Sequence, residues 1–307
     1  MTGKSNYIIV AYMCAQAMLI MSLASCRSDR NKAVDEGEYL GDSSMTGILE
    51  EIDQARKIFY LTPSPAEMLD MMDVKGTSFD RALPNDAKFI DRYFDLRSQS
   101  LNLGVYITDM AYMALYGRHD ETIEYLEAID DLAGKARVKD AFSNELINRA
   151  RKNTESLDSL YLVSNEAFVN LVSYCEQNKR SNTAVLVSAG ALIESLYMAV
   201  AMVEDYYEAN YLIQHIADQK YVVENLFKFA EGLSADPNVA RLLEELEPVR
   251  KLYGSVNESG NNTTVKKEET GRLVIGSNKK LGLSGEQFGE LKRITMQIRN
   301  GIVNNTI

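Results

Sequence analysis

Residues 183–203 read TAVLVSAGALIESLYMAVAMV, a run of 21 with Glu194 as its only charge. A helix of this composition has no polar face, so it is either a membrane span or the central helix of a bundle. Its length permits a span. A carboxylate at the middle of a bilayer costs at least about 2.5 kcal/mol, however, and the neighbouring segments are amphipathic, as the outer helices of a soluble bundle must be. The stretch is read as a core helix, and the chain as all-α.

A second run, LNLGVYITDMAYMALY at 101–116, is built alike, with Asp109 as its only charge. The chain contains five prolines, and none falls between residues 85 and 236. A proline inside a helix costs about 3 kcal/mol, so this stretch suits long helices. Phe89, Tyr93, Leu96, Leu103, Ile107, Met110 and Ala114 recur at helical spacing, as do Leu157, Leu160, Ala167, Phe168, Leu171 and Cys175. Ser64-Pro65-Ala66-Glu67, Asp236-Pro237 and Ser284-Gly285-Glu286-Gln287 are helix starts. Helices are predicted over 46–60, 65–73, 86–116, 119–133, 137–152, 155–178, 182–214, 218–232, 237–253 and 285–302. The excursion 254–283 carries two β-prone runs, at Thr263–Val265 and Arg272–Ile275, and predicts a small β-hairpin before the last helix. The expected architecture is an elongated multi-helix bundle forming a single domain over 44–307. A faint self-similarity appears at an offset of 86 residues, where Gly104, Ile107, Tyr125 and Leu126 recur as Gly190, Ile193, Tyr211 and Leu212.

If the two apolar helices pack together, Asp109 and Glu194 face each other among Tyr106, Tyr112 and Tyr197. A buried carboxylate requires a partner or a raised pKa. Such a pair could bind a cation, an amine or a polyol, or could do acid–base work. It could equally accept hydrogen bonds from neighbouring hydroxyls, or lie on an exposed strip. The two histidines, His119 and His215, lack metal-site spacing, so no metal site and no cofactor is expected. GxSxG, Walker A and GxGxxG motifs do not occur in the sequence. Tyrosines such as Tyr206, Tyr207 and Tyr211 could line a groove for sugar or peptide, or sit half-buried at helix junctions.

The N-terminus carries a targeting signal. Lys4 precedes an apolar run from Tyr7 to Leu23, followed by Leu23-Ala24-Ser25-Cys26. That tetrapeptide resembles the bacterial lipobox. The resemblance implies that Cys26 is lipidated on sulfur, that residues 1–25 are removed as a signal peptide, and that the new amine is acylated, for example with palmitate. Two or more chains anchor a protein stably, and no membrane span is needed. Residues 26–43 then read as the lipidated cysteine and a flexible polar tether. Of three cysteines, Cys14 leaves with the signal, Cys26 is alkylated and Cys175 stays as a core thiol.

Hydrophobic residues at 46% with 25% charged residues place the chain among folded globular proteins. The net charge of -11 becomes -12 once Lys4 is lost, which argues against a nucleic-acid partner. The lipobox, LNLGVYITDMAYMALYGRHDETIEYLEAIDDLAG and SAGALIESLYMAVAM together resemble an uncharacterised family of helical Bacteroidetes lipoproteins. The resemblance implies an all-helical, lipid-anchored envelope protein at the outer membrane, on its periplasmic or its surface face, and assigns no catalytic residues. The expected function is non-enzymatic binding of a protein or small-molecule partner. The alternative is a solute-binding lipoprotein in which Asp109 and Glu194 select a cationic or polyol ligand.

Overall fold

The computed structural model describes residues 64–71, 77–142, 148–149, 152, 157–259, 263–267, 273–277 and 280–307. All of them belong to the unit Gly47–Ile307. The signal, Cys26, the tether and the helix expected at 46–60 lie outside the described residues, as does much of 137–152. The chain is all-α, with helices α1 (Pro65–Met71), α2 (Leu96–Leu115), α3 (His119–Lys135), α4 (Leu157–Gln177), α5 (Ser181–Met202), α6 (Asn210–Glu231), α7 (Pro237–Gly254) and α8 (Gly285–Val303).

The two apolar runs form α2 and α5, which pack against each other at the centre. From Arg97 to Leu115, α2 is buried on every face, and so is α5 from Thr183 to Leu196. Although α5 is long and apolar enough to cross a bilayer, its faces are covered by protein. Around this pair, α3 packs on α2, α4 on both, α6 on α5, α7 on α6, and α8 chiefly on α5. The outer helices are amphipathic. In α3, for example, Thr122, Tyr125, Leu126, Ile129, Leu132 and Ala133 are the buried stripe.

The central contact is backbone to backbone. A Cβ added to Gly104 would lie 1.9 Å from the Val187 carbonyl oxygen, and one added to Gly190 would lie 1.9 Å from that of Leu101. The pairing is reciprocal under the offset of 86, since Val187 stands 86 residues after Leu101. Thr108 adds a hydrogen bond across the crossing to the Ala191 carbonyl at 3.3 Å. Gly104 and Gly190 of the faint recurrence are thus the two glycines that meet at the crossing, whereas of the recurring tyrosines Tyr125 is buried and Tyr211 exposed.

Helix starts follow the local chemistry. Ser64 and Glu67 close a reciprocal capping box on α1. Asp236 accepts the Asn238 and Val239 amides at α7, and Ser284 and Gln287 form a second capping box at α8. Three boundaries differ from the periodicity. The helix expected over 86–116 is a short 3-10 turn, Ala87–Arg92, followed by an extended Tyr93 and then α2. Asp95 captures the Ser98 amide and hydroxyl at 2.9 and 2.8 Å, so a cap competes successfully with a continuous helix. The helix expected to reach 214 stops at Met202, where Val203 is extended and Asp205 takes the Tyr207 amide. The interruption expected near 215–217 is absent, because Ile216 and Ala217 belong to the buried stripe of α6. Pro248 lies inside α7 on an exposed position, away from the helix end.

The excursion before α8 is a nested pair of antiparallel ladders. The outer joins β1 (Asn257–Ser259) to β4 (Lys280–Gly282), and the inner joins β2 (Thr263–Lys267) to β3 (Leu273–Ser277). The two β-prone runs of the sequence are β2 and β3.

The crossing predicts a sharp asymmetry among glycines. Gly104→Ala or Gly190→Ala pushes a methyl into a carbonyl and should destabilise the fold by about 3 kcal/mol or more in urea unfolding. Gly289, on α8 with open space around it, should instead gain about 0.5–1 kcal/mol on substitution by alanine. Equal effects at the two kinds of site would contradict the backbone contact.

Candidate functional site

The α2–α5 contact carries both acids into the core. Asp109 lies five residues after Gly104, and Glu194 four residues after Gly190, so each projects from a level just beyond the closest approach. Both are 0% exposed. They are neighbours that shift each other's proton affinity.

The third member is Arg299 on α8. Its Nε and one terminal nitrogen donate to the two Glu194 carboxylate oxygens, each at 3.0 Å, a bidentate geometry. The same terminal nitrogen donates to the Leu83 carbonyl at 3.1 Å. The Tyr197 ring lies 4.5 Å beneath the guanidinium. Asp109 accepts the Asn85 amide on Oδ2 at 3.1 Å, and its carboxyl is also a hydrogen-bonding neighbour of the Glu194 carboxylate.

A second ring of contacts fixes the 83–93 segment over this cluster. The Asn85 side chain donates to the Tyr93 hydroxyl at 2.9 Å, and that hydroxyl donates to the Val303 carbonyl at 3.1 Å. Tyr125 donates to the Asn85 carbonyl at 2.8 Å, and Tyr106 to the Asp86 carbonyl at 3.1 Å. Pro84 sits between the Leu83 carbonyl that meets Arg299 and the Asn85 amide that meets Asp109. It fixes φ where one residue on each side must point inward.

Protonation follows from this geometry. Burial, and then the Glu194 charge, push the Asp109 carboxyl well above its ordinary range, against the opposing pull of Arg299 and the Asn85 amide. Burial also raises Glu194, but Arg299 draws it back through charge and hydrogen bonds. The arrangement is therefore a neutral Asp109 beside an ionised Glu194–Arg299 pair. Burial raises the Tyr93, Tyr106, Tyr125 and Tyr197 phenols as well, so these stay protonated donors.

Of the residues singled out from the sequence, Asp109 and Glu194 meet, and Tyr106 and Tyr197 are close by. Tyr112 is turned elsewhere. Its ring stacks on Phe79 at 5.4 Å and its hydroxyl bonds the Asp80 backbone, with burial pushing it up to about 12. Arg299, Asn85, Tyr93 and Tyr125 were not anticipated. The available signal for Arg299 was its place on the apolar stripe of α8, between Ile298 and Ile302 and four residues after the buried Thr295.

Two clefts lined by described residues, of about 270 and 90 Å³, include neither acid in their walls. The first involves Glu245, Pro248, Arg293 and Ile307, and the second Arg81, Asp86, Glu121 and Tyr125. Among the described residues no three His, Cys, Asp or Glu side chains gather as a metal site. Cys175 is buried, which pushes its thiol up to about 11 and leaves it a poor nucleophile.

Two outcomes test this cluster. Arg299→Met strands an ionised carboxylate in the core and should cost about 3–5 kcal/mol in urea unfolding at neutral pH. Arg299→Met combined with Glu194→Leu should recover much of that loss. The second concerns pH. Asp109 keeps its proton in the fold to higher pH than in the unfolded chain, whose ordinary value is 3.8. The folded state then binds more protons, so this contribution is full below that value and is lost as pH rises toward the folded pKa. Asp109→Asn removes that loss, and its stability relative to the parent should climb as pH rises above 3.8 toward the folded pKa. Parallel stability curves would mean that Asp109 is ionised in the fold.

The chain matches no known protein-family model, no curated protein and no solved structure, so a functional reading has to stand on its own residues.

Proposed function

We propose that this chain is a lipid-anchored cell-envelope protein at the outer membrane, which acts by binding a partner and not by catalysis. The anchoring half of the reading rests on Leu23-Ala24-Ser25-Cys26 following an apolar run, with the polar tether 27–43 between lipid and helical unit. The observation that carries the binding half is the Glu194–Arg299 pair. The core acid that might have done acid–base chemistry already has its counter-ion, delivered by α8 in bidentate form. A catalytic carboxylate needs access to its substrate, whereas Asp109 and Glu194 are sealed under the 83–93 segment. The same fact weighs on the solute-binding alternative, because a cationic ligand would have to displace Arg299. Recognition is thus assigned to the outer surface, and the resemblance to helical Bacteroidetes lipoproteins agrees with an anchored, all-helical product.

Cys26→Ala tests the anchor. In a bacterial host with lipoprotein processing, the parent should partition with membranes and carry the mass of a diacylglyceryl, N-acylated Cys26 start. The variant should lose that mass increment and leave the membrane fraction by at least about tenfold, since the acyl chains supply the attachment. Unchanged fractionation and mass would end the lipoprotein reading.

A further inference from the structure

The turn between α5 and α6 builds an aromatic platform on the surface. Tyr207 is 81% exposed, Tyr211 60% and, three turns along α6, Tyr221 50%. The platform is held in place. Tyr206 donates its hydroxyl to the Leu283 carbonyl at 2.5 Å and packs against Phe288 at 5.8 Å, while Tyr207 stands edge-on to Tyr206 at 5.2 Å. Tyr211 packs edge-on against His215 at 4.3 Å. Large exposed rings, backed by half-buried ones, resemble the anchors of protein interfaces.

Charge narrows the occupant. From Ser181 to Gln219 the chain contains no lysine or arginine, while Glu204, Asp205 and Glu208 flank Tyr206 and Tyr207 along the chain. Glu204, Asp205 and Glu208 are exposed. Glu286 is exposed next to Gly285, whose Cβ position would lie 3.7 Å from the Tyr206 ring. A second copy docking through this face would set acids against acids. Elsewhere the molecule stacks its own arginines on aromatic rings, Arg92 on Phe89, Arg118 on Phe79, Arg250 on Phe227 and Arg299 on Tyr197. Tyr207 and Tyr211 receive no such cation among the described residues.

The offset of 86 residues adds a third observation. Tyr125, the counterpart of Tyr211, is covered by an irregular length of polypeptide, and its hydroxyl bonds the Asn85 carbonyl there. Tyr211, its sequence counterpart, is exposed. We propose that Tyr207 and Tyr211, flanked by Glu204, Glu208 and Glu286, dock an arginine- and lysine-bearing segment of a partner polypeptide, whose cations stack on the rings and pair with the carboxylates. The proposal deepens the binding reading by naming its surface and partner class, and it does not depend on the anchor.

The test uses the mature chain with Cys26→Ala, so that failure of binding and failure of lipidation are read separately. The probe is a fluorescent peptide alternating arginine with serine, with a lysine-for-arginine version beside it. Tyr207→Ser/Tyr211→Ser should weaken the arginine peptide by about tenfold or more with unchanged thermal unfolding. Glu204→Gln/Glu208→Gln should weaken both peptides and flatten their salt dependence. Glu244→Gln/Glu247→Gln on α7, which changes net charge equally, should leave both intact. Loss of affinity in that control equal to the loss at Glu204 and Glu208, or no effect of the tyrosine pair, would reduce the attraction to bulk charge and overturn the proposal. Self-association abolished by the tyrosine substitutions, or binding to a neutral oligosaccharide in preference to the peptides, would overturn it in favour of a different occupant.

Discussion

A single ion pair determines how the outer elements close on the core. Glu194 is the only charge in an otherwise apolar helix, and it is fully buried. An isolated charge at that depth is untenable, so Glu194 needs either a proton, as Asp109 takes, or a cation from another part of the chain. The cation comes from Arg299, 105 residues later. Once there, the guanidinium has donors left over, and one reaches the Leu83 carbonyl. The pair therefore settles the docking of α8 and, through Leu83, the segment that leads into α2. Its contribution lies more in specificity than in net stability, since an apolar replacement of similar shape is often as stable. A helix hydrophobic all round has no preferred face, and Glu194 supplies one.

The glycine contact explains why two acids meet. With Gly104 against Val187 and Gly190 against Leu101, α2 and α5 touch through backbone, and no side chain separates them at that level. Residues one turn further along are still close. Thr108 uses the proximity to reach Ala191, and Asp109 and Glu194 occupy the same layer. Two ionised carboxylates there would repel at low effective dielectric. A proton on Asp109 relieves the repulsion, and Asn85 and Arg299 partition the remaining hydrogen bonds. The tyrosines have supporting roles, because Tyr93, Tyr106 and Tyr125 hold the 83–93 segment in place through its carbonyls and through Asn85.

Much of the fold was legible because its signals are local or periodic. The apolar runs at 101–116 and 183–203 became the buried pair, the three capping sequences opened α1, α7 and α8, and the β-prone runs became β2 and β3. The errors share a cause. Periodicity treats residues 86–116 as continuous, but Asp95 offers its carboxylate to Ser98, and one good cap outweighs a few residues of favourable spacing. The same happens at Asp205 and Tyr207. In the site, composition could identify Asp109 and Glu194 as lone charges needing partners. It could not identify Arg299, because thirty-three lysines and arginines compete for that role and only tertiary packing selects one. Tyr112 misled for the complementary reason. It lies three residues from Asp109 along α2, yet its ring packs on Phe79 beyond the end of the acid layer.

The partition of charge in the molecule has a functional corollary. Inside, Glu194 is matched by Arg299, and burial with the Glu194 charge keeps the proton on Asp109. Outside, acids outnumber bases, and the stretch from α5 into α6 carries the imbalance locally, with Glu204, Asp205, Glu208 and Asp218 following the buried Glu194 and no lysine or arginine between Ser181 and Gln219. Surface carboxylates alone would be unremarkable solvated charges. Their association with Tyr207, which packs on a Tyr206 held by Leu283 and Phe288, and with Tyr211, which packs on His215, is different, because a ring already restrained loses little entropy when a partner covers it, and a neighbouring carboxylate favours a cation over an apolar group. Pinning is itself a consequence of the core. Tyr206 and Phe288 are held at the junction of α6 and α8, and α8 is in register because Arg299 has only one buried carboxylate to answer. The ion pair that gives α5 its orientation thus also fixes the platform on which recognition is proposed to occur.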